Sequence, residues 1–103
     1  MTEFRIIISQ RAYSNIIECV SFVKNVSTKA AEELYLEIIK SIQSLSSFPN
    51  KYQEVEGLKI TESKIRKMPI HKGRYVALYK VEADEVVIYD IIDTRKDSIL
   101  SKL

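Results

Sequence analysis

The residues that could do chemistry are concentrated in one basic segment, residues 59–80. Seven lysines and arginines stand there against a single glutamate, which gives the segment a net charge of +6. Because the whole chain carries only +2, the remaining residues carry −4, and the charge is strongly polarised. The basic side chains are Lys59, Lys64, Arg66, Lys67, Lys72, Arg74 and Lys80. Such a cluster is typical of a surface that meets phosphate groups, although lysines also protect sheet edges from pairing.

The single histidine, His71, lies in the same segment, in a predicted turn between Pro69 and Gly73. An imidazole in a turn is either solvated or available as a general acid or base on a nucleic acid. No cluster of histidine, cysteine and carboxylate stands at metal-ligand spacing, and two glycines cannot make a phosphate-cradling loop. We therefore expect no metal site and no cofactor. Cys19, on the apolar side of a predicted helix, is interpreted as a core residue.

The elements that position these residues can be predicted from hydrophobic periodicity. The almost continuously apolar run at residues 4–8 predicts a strand that is covered on both faces. Apolar residues at helical spacing then predict an amphipathic helix from about 10 to about 25. A second such helix begins after Ser27 or Thr28, either of which can cap it, and continues to about Leu45. Together the two helices form a helical hairpin.

The second half of the chain changes to strand periodicity. Residues 51–64 are polar and predict a connection with at most a short irregular strand. Residues 64–70 predict a strand in which Pro69 indicates an edge position or a bulge. Residues 74–81 and 86–92 predict two apolar strands joined by a short polar break, with the second strand central in the sheet. The predicted order is strand, helix, helix and three strands.

Length and composition limit the class of protein. With 103 residues, 46% hydrophobic and 29% charged, the chain predicts one domain over residues 1–103. The polar tail, residues 94–103, predicts a short helix or a mobile segment that becomes ordered on a partner. No apolar run approaches the length of a membrane span, and no signal segment opens the chain. With a single cysteine, these features predict a cytoplasmic protein without membrane contact.

The order of its motifs resembles the RelE/ParE family of small bacterial toxins from type II toxin–antitoxin systems. The resemblance spans Phe4 to Asp97. It is carried by residues 8–12 (ISQRA), 38–42 (IIKSI), 48–49 (FP), 65–70 (IRKMPI), 73–79 (GRYVALY) and 86–97 (VVIYDIIDTRKD). The resemblance implies an α+β fold in which the helical hairpin packs on a small, twisted, mostly antiparallel sheet. That fold agrees with the order of elements predicted from the residues.

The resemblance implies one of two activities. ParE-like members poison DNA gyrase without catalytic chemistry of their own, whereas RelE-like members enter the ribosome and cleave mRNA without metal. RelE-like cleavage uses basic side chains on the middle strands, an arginine at the end of the last strand, and a tyrosine or histidine in the tail. Arg95 matches the last-strand arginine, but Val76 stands where a further arginine is expected, and residues 96–103 contain neither tyrosine nor histidine. These departures favour the ParE-like activity.

Three functions remain open from the sequence: a gyrase-directed toxin, an mRNA endonuclease, and a non-toxic homologue or nucleic-acid-binding module. The catalytic candidates of the endonuclease are Arg66, His71, Arg74 and Arg95, and a structure that placed Arg66, His71 and Arg95 around one concavity would favour it. The candidates for binding a target or nucleic acid are Lys64, Arg66, Lys67, Lys72, Arg74 and Arg95. The resemblance implies a cognate antitoxin as partner, with either DNA gyrase or the ribosome and mRNA as target. It also allows a homodimer or a toxin–antitoxin hetero-oligomer.

Overall fold

A computed structural model describes residues 3–60 and 63–96, with only the backbone described for 57–60 and 63. Within these residues the chain forms two helices and one five-stranded sheet. The elements in chain order are β1 (Arg5–Ile8), α1 (Gln10–Lys24), α2 (Thr28–Ser44), β2 (Glu54–Ile60), β3 (Ser63–Ile70), β4 (Tyr75–Glu82) and β5 (Glu85–Asp93). The predicted α+β fold with its helical hairpin is confirmed. The distal part of the predicted tail, residues 97–103, lies outside the described residues.

The sheet has the strand order β1-β5-β4-β3-β2 and is mostly antiparallel, since only the pair β1 and β5 is parallel. β5 lies inside the sheet, as predicted. β2 is a seven-residue strand where the sequence predicts a connection with little strand. The difference has a physical reason: β2 is an edge strand whose register on β3 shifts between Glu54 and Lys59, so it lacks the apolar alternation of a packed strand. Pro69 lies on β3 beyond the last residue paired with β2.

The prediction that the first strand is covered on both faces is wrong. β1 is the other edge of the sheet, where Ile6 pairs with Val86 and Ile8 pairs with Ile88. Its side chains alternate between partly buried and exposed, and Ile7 is 40% exposed. An apolar run of four residues is too short for periodicity to separate a doubly buried strand from an apolar edge.

Both helices begin at a serine cap, and of the two candidates for α2 the cap is Ser27. The hydroxyl of Ser9 accepts a hydrogen bond from the backbone N–H of Ala12 at 3.0 Å, and Ser27 accepts one from Ala30 at 3.1 Å. Each cap satisfies a backbone donor that the first helical turn leaves without a partner. The predicted apolar stripe of α2 is confirmed, since its buried residues are Ala31, Leu34, Ile38 and Ile42.

The core lies on both faces of the sheet. On the helix-facing side, α1 and α2 pack against the alternate β4 residues Tyr75, Ala77 and Tyr79. A smaller cluster lies on the opposite face of the sheet and includes the intervening residues of β4. Val55 and Tyr89 pack against it. Its buried members are Ile65, Val76, Leu78 and Ile92. We call this second group the far-face cluster. Residues 75–79 of β4 are thus buried on both faces, with two tyrosines towards the helices and the smaller Val76 and Leu78 on the far side.

A buried carboxylate attaches α1 to the sheet. Asp90 is fully buried on β5, next to a register shift against β4. One of its oxygens accepts hydrogen bonds from the Nδ2 of Asn15 at 2.6 Å and from the backbone N–H of Ile91 at 2.8 Å. Its other oxygen lies 3.2 Å from the Nε of Arg11. A buried charge is stable only with such partners, so the first turns of α1 are fixed against β5.

We expect Asp90→Ala to lower the free energy of unfolding by about 2 to 3 kcal/mol, because Asn15 and Arg11 lose their shared acceptor. Urea denaturation at pH 7 measures this loss. The control Glu32→Ala removes an exposed carboxylate from α2 and should change the same quantity by less than about 0.5 kcal/mol. Equal effects of the two substitutions would show that the buried carboxylate does not hold α1.

Candidate functional site

The strand register divides the predicted basic residues into two groups. Arg66 is paired with Tyr79 in the middle of β3 and β4, whereas Ile70 and Tyr75 form the last pair before the connecting turn. Four residues of strand separate Arg66 from that end, a distance of roughly 13 Å. The group near Arg66 is therefore separate from the group in the turn. The side chain of Lys59 lies outside the described residues.

Arg66 is engaged by the connection between α2 and β2. Its guanidinium donates to the carbonyl of Tyr52 at 2.7 Å and lies 3.3 Å from a carboxylate oxygen of Glu54. Only 22% of its side chain is exposed. Arg66 thus provides a hydrogen-bond donor for a backbone carbonyl just before β2 and for a carboxylate at its start. Its role is structural, and its charge is not presented to solvent.

The other two basic residues of β3 are also placed away from the turn. Lys64 is exposed, and its Nζ lies 3.4 Å from the second carboxylate oxygen of Glu54. Lys67 is half-buried and lines a concavity of about 460 Å³ together with Tyr52 and Pro69. Glu54 thus neutralises much of the charge that the sequence assigns to this part of the basic segment.

Tyr79, in the core, binds the same connection between α2 and β2 that Arg66 contacts. Its fully buried hydroxyl donates a hydrogen bond to the carbonyl of Pro49 at 2.7 Å. Burial raises the pKa of Tyr79 to about 12, and the nearby Arg66 guanidinium opposes part of that rise. The phenol stays neutral at physiological pH and holds the end of the α2–β2 connection against the sheet.

The second basic group surrounds the turn between β3 and β4. The backbone of His71, Lys72 and Gly73 has three consecutive positive φ values of 56°, 56° and 84°. The backbone N–H of Arg74 closes the turn by donating to the carbonyl of His71 at 3.1 Å. Left-handed backbone is costly for residues with a side chain, so the surrounding structure must hold this turn in place.

Thr94, which sequence reasoning missed, brings Arg95 to this turn. Its hydroxyl donates to the carbonyl oxygens of Gly73 at 2.9 Å and of Arg74 at 3.0 Å. Its backbone N–H donates to the same carbonyl of Arg74 at 3.0 Å. Arg95 follows directly and lies 3.4 Å from the carboxylate of Asp93. We call His71, Lys72, Arg74 and Arg95 the turn cluster.

A contact from α2 orients the histidine of the turn cluster. The Nδ1 of His71 lies 2.8 Å from a carboxylate oxygen of Glu37. With Glu37 ionised, Nδ1 carries the proton and donates, so the neutral ring has Nε2 as its free basic nitrogen. Glu37 lies 34 residues from His71 along the chain. Sequence patterns carry no signal for such a pair.

The turn cluster lines two adjoining concavities. The first, which we call the turn cavity, has a volume of about 600 Å³ and is lined by His71, Lys72, Gly73, Arg74 and Arg95. The second, of about 360 Å³, lies between the turn and the helical hairpin. Its lining includes Phe22, Val26, Leu34, Glu33 and Glu37 as well as His71, Arg74 and Arg95. His71, Arg74 and Arg95 are thus brought together. Arg66 lies elsewhere, so the four catalytic candidates do not share one concavity.

Val76 is part of the far-face cluster and is 8% exposed. It stands where the resemblance expects an arginine. Its side chain packs with Ile65, Leu78 and Ile92 and also lines the concavity that contains Lys67, so this chain presents a methyl group there instead of a guanidinium. Among the described residues, no group of three or more His, Cys, Asp or Glu side chains could hold a metal ion. In that same part of the chain no helix is long and apolar enough to cross a membrane.

Comparison with known proteins agrees with the fold. The model of the family described as "ParE toxin of type II toxin-antitoxin system, parDE" matches residues 6–98. The chain belongs to this ParE toxin family. The resemblance drawn from its motifs is therefore confirmed.

One solved structure has the same fold. It is described as "Chromosomal ParDE TA system from P. aeruginosa". Its TM-score to this ParE family member is 0.70 at 13% sequence identity, and the match covers 88% of this chain and 96% of that chain. A search of curated proteins finds no match.

The two kinds of arginine in this ParE family member should differ in their effect on stability. We expect Arg66→Gln to lower the free energy of unfolding by about 2 kcal/mol, because the carbonyl of Tyr52 and the carboxylate of Glu54 lose their donor. Arg74→Gln, at an exposed position, should change it by less than about 0.5 kcal/mol. Chemical denaturation of both variants provides the comparison. A larger loss in Arg74→Gln would reverse the assignment of these roles.

Tyr79 should make the fold sensitive to alkaline pH. Its pKa is about 12 in the folded chain, against an ordinary value of 10.0, so the unfolded chain releases the proton first. The associated stability is present below about pH 10 and is lost as the pH rises towards about 12, by about 2 kcal/mol. Denaturation of wild type and Tyr79→Phe at about pH 7 and about pH 12 tests this.

The Tyr79→Phe variant is expected to be about 1 kcal/mol less stable than wild type at pH 7, because it lacks the hydrogen bond to Pro49. By about pH 12 the order should reverse, with the variant about 1 kcal/mol more stable, because only wild type loses the roughly 2 kcal/mol associated with Tyr79. Tyr75, whose pKa is also raised by burial, is present in both proteins and cancels in the comparison. A deficit that is unchanged at pH 12 would contradict the role assigned to Tyr79.

Proposed function

We propose that this ParE family member is a toxin that arrests bacterial growth by acting on DNA gyrase and is neutralised by a cognate antitoxin. The observation that carries the choice of target is Val76, which lies in the apolar far-face cluster where a RelE-like endonuclease would present an arginine. A chain without that side chain is poorly equipped to stabilise charge on a phosphate undergoing cleavage. Binding to a target protein does not require it.

The turn cluster is the proposed working surface. Arg74 and Lys72 are exposed and make no ion pair within the described residues. Arg95 is joined to the same turn through Thr94. By contrast, Lys64 and Arg66 share Glu54. The available positive charge is therefore centred at the end of β3 and not in its middle. We propose that the turn cluster contacts gyrase and its DNA, in the cytoplasm.

The antitoxin is proposed to pack against the outer surface of the helical hairpin. That surface exposes large apolar side chains, including Ile17 at 43% and Leu36 at 54%. Leu36 and Tyr35 also line a concavity of about 450 Å³ between the two helices. A flexible antitoxin segment that becomes ordered on this surface would bury it. The solved ParDE structure supports this partnership through its description as a toxin–antitoxin system.

A second candidate function is metal-independent cleavage of RNA. The observation in its favour is that His71, Arg74 and Arg95 line one concavity, with Nδ1 of His71 held by Glu37. Nε2 of His71 could take the proton of a 2′-hydroxyl, whose oxygen would then attack the adjacent phosphorus. The P–O5′ bond would break as the 2′-oxygen attacks, giving a 2′,3′-cyclic phosphate and a 5′-hydroxyl whose oxygen takes its proton from water. Arg74 and Arg95 would stabilise the charge on the phosphate.

Induced expression without antitoxin, followed by separate pulse-labelling of new DNA and new protein, tests the choice of target. We expect DNA synthesis to stop first. The purified chain should also inhibit supercoiling of relaxed plasmid by gyrase. Arg74→Gln/Arg95→Gln should need at least about tenfold more protein for the same inhibition, since two charge-assisted contacts are lost. The matched control Lys29→Gln/Lys40→Gln removes two exposed charges from α2 and should not change it.

An early halt in protein synthesis with cleaved messages would support the endonuclease instead. His71→Ala separates the two mechanisms, because it should abolish message cleavage if His71 is the base but should weaken gyrase inhibition only as far as the loss of one contact of the turn cluster does. Arrest of neither process, in cells that accumulate folded protein, would identify a non-toxic homologue.

A further inference from the structure

The turn cavity combines basic side chains with a backbone that is held in place. Its lining residues are His71, Lys72, Gly73, Arg74 and Arg95, and this set contains no carboxylate. Arg95 is reached by Asp93 at 3.4 Å, and His71 is reached by Glu37 at 2.8 Å, both from outside the cavity lining. Lys72 and Arg74 form no ion pair with a carboxylate among the described residues. An anion that entered the cavity would therefore meet Lys72 and Arg74, which no described carboxylate pairs, whereas at Arg95 it would compete with Asp93 for the guanidinium.

The geometry of the cavity favours a phosphate group. Thr94 fixes the two arginine-bearing segments to each other through hydrogen bonds to Gly73 and Arg74. Guanidinium groups offer paired donors that match two oxygens of a phosphate, and a backbone held in place lowers the entropic cost of using them. Lys72 adds a third positive charge from the left-handed part of the turn.

The lining of the cavity also separates a phosphodiester backbone from other anions. None of the residues lining the turn cavity is apolar. The apolar anchors that a carboxylate-bearing peptide would need, such as Phe22 and Val26, lie in the adjoining concavity. They lie there beside Glu33 and Glu37, which would repel such a peptide. A base read by stacking would need an exposed aromatic ring inside the turn cavity, whereas Phe22 lies outside it and Tyr75, which follows the turn directly, is 2% exposed. Binding at this site would thus involve the sugar–phosphate backbone and would be independent of base sequence.

We propose that the turn cavity binds the phosphodiester backbone of a nucleic acid. In the context of the proposed function, which this inference deepens, that nucleic acid is the DNA duplex held by gyrase. Lys72, Arg74 and Arg95 bind the phosphate oxygens. The toxin then contacts both the enzyme and its DNA, and its affinity for the pair exceeds its affinity for either alone.

Fluorescence anisotropy with a labelled duplex of about 20 base pairs and arbitrary sequence tests the inference on the purified full chain. We expect Arg74→Gln/Arg95→Gln to weaken binding about tenfold at low salt. The slope of the logarithm of affinity against the logarithm of salt concentration should decrease in magnitude by about 2, since each lost phosphate contact contributes roughly 0.9. Lys29→Gln/Lys40→Gln has the same net charge and should change affinity less than twofold. Thermal unfolding confirms that each variant is folded.

Two further arms identify the source of the phosphates and the class of ligand. A single-stranded RNA of the same length is measured beside the duplex, and loss of binding in the arginine variant supports the inference for whichever nucleic acid binds more tightly. Polyglutamate of equal charge serves as the carboxylate probe. Displacement of the duplex by polyglutamate at equal charge concentration would overturn the inference in favour of an acidic protein. Equal effects of the arginine variant and the control variant would overturn it too.

The same variants distinguish failure of this inference from failure of the proposed function. If wild type binds the duplex through the two arginines but does not inhibit gyrase, the phosphate site stands and the proposed function fails. If wild type inhibits gyrase while the arginine variant binds the duplex as wild type does, the proposed function stands and the phosphate site fails.

Discussion

The structure depends on the burial of β4 on both of its faces. Tyr75, Ala77 and Tyr79 pack beneath the helices, while Val76 and Leu78 pack in the far-face cluster. A one-residue slip would exchange the two sets and place the tyrosines where the smaller far-face residues fit, so the register of the sheet is determined here. The neighbouring turn and the positions of Arg66 and Arg74 follow from that register, because β3 is paired with β4 residue by residue.

The register set by β4 also explains why some basic residues are engaged in structural contacts while others are exposed. Residues in the middle of β3 must satisfy buried or half-buried polar groups nearby, and Arg66 does so with Tyr52 and Glu54. Within the described part of the chain, residues in the turn beyond the last strand pair, Ile70 with Tyr75, have no buried polar groups beside them to satisfy. Arg74 can therefore remain without an ion pair among the described residues at little cost in stability. Within one basic segment, distance from the core determines which cations are available to a ligand.

Much of the fold could be predicted from the sequence, because helix caps and long apolar periodicities are local signals. Ser9, Ser27 and the alternation of β4 are examples. β2 could not be predicted with the same accuracy, since an edge strand with a register shift has no regular apolar face. The site was predicted as a basic segment but not as two groups. The contacts that divide it, from Glu37 to His71 and from Thr94 to Gly73, join residues far apart in the chain.

Backbone strain and exposed positive charge coincide at the turn cluster. Three consecutive left-handed residues are unfavourable in isolation, and the turn persists because Thr94 and Glu37 hold it from two sides. The turn between β4 and β5 also contains a residue with positive φ, Ala83 at 50°, because left-handed residues let a short link follow the twist of its two strands. At the β3–β4 turn the same geometry places Lys72 and Arg74 beside Arg95 around one cavity. The left-handed backbone is thus explained by the strands that it joins, and the proposed working surface uses the positions that this geometry supplies.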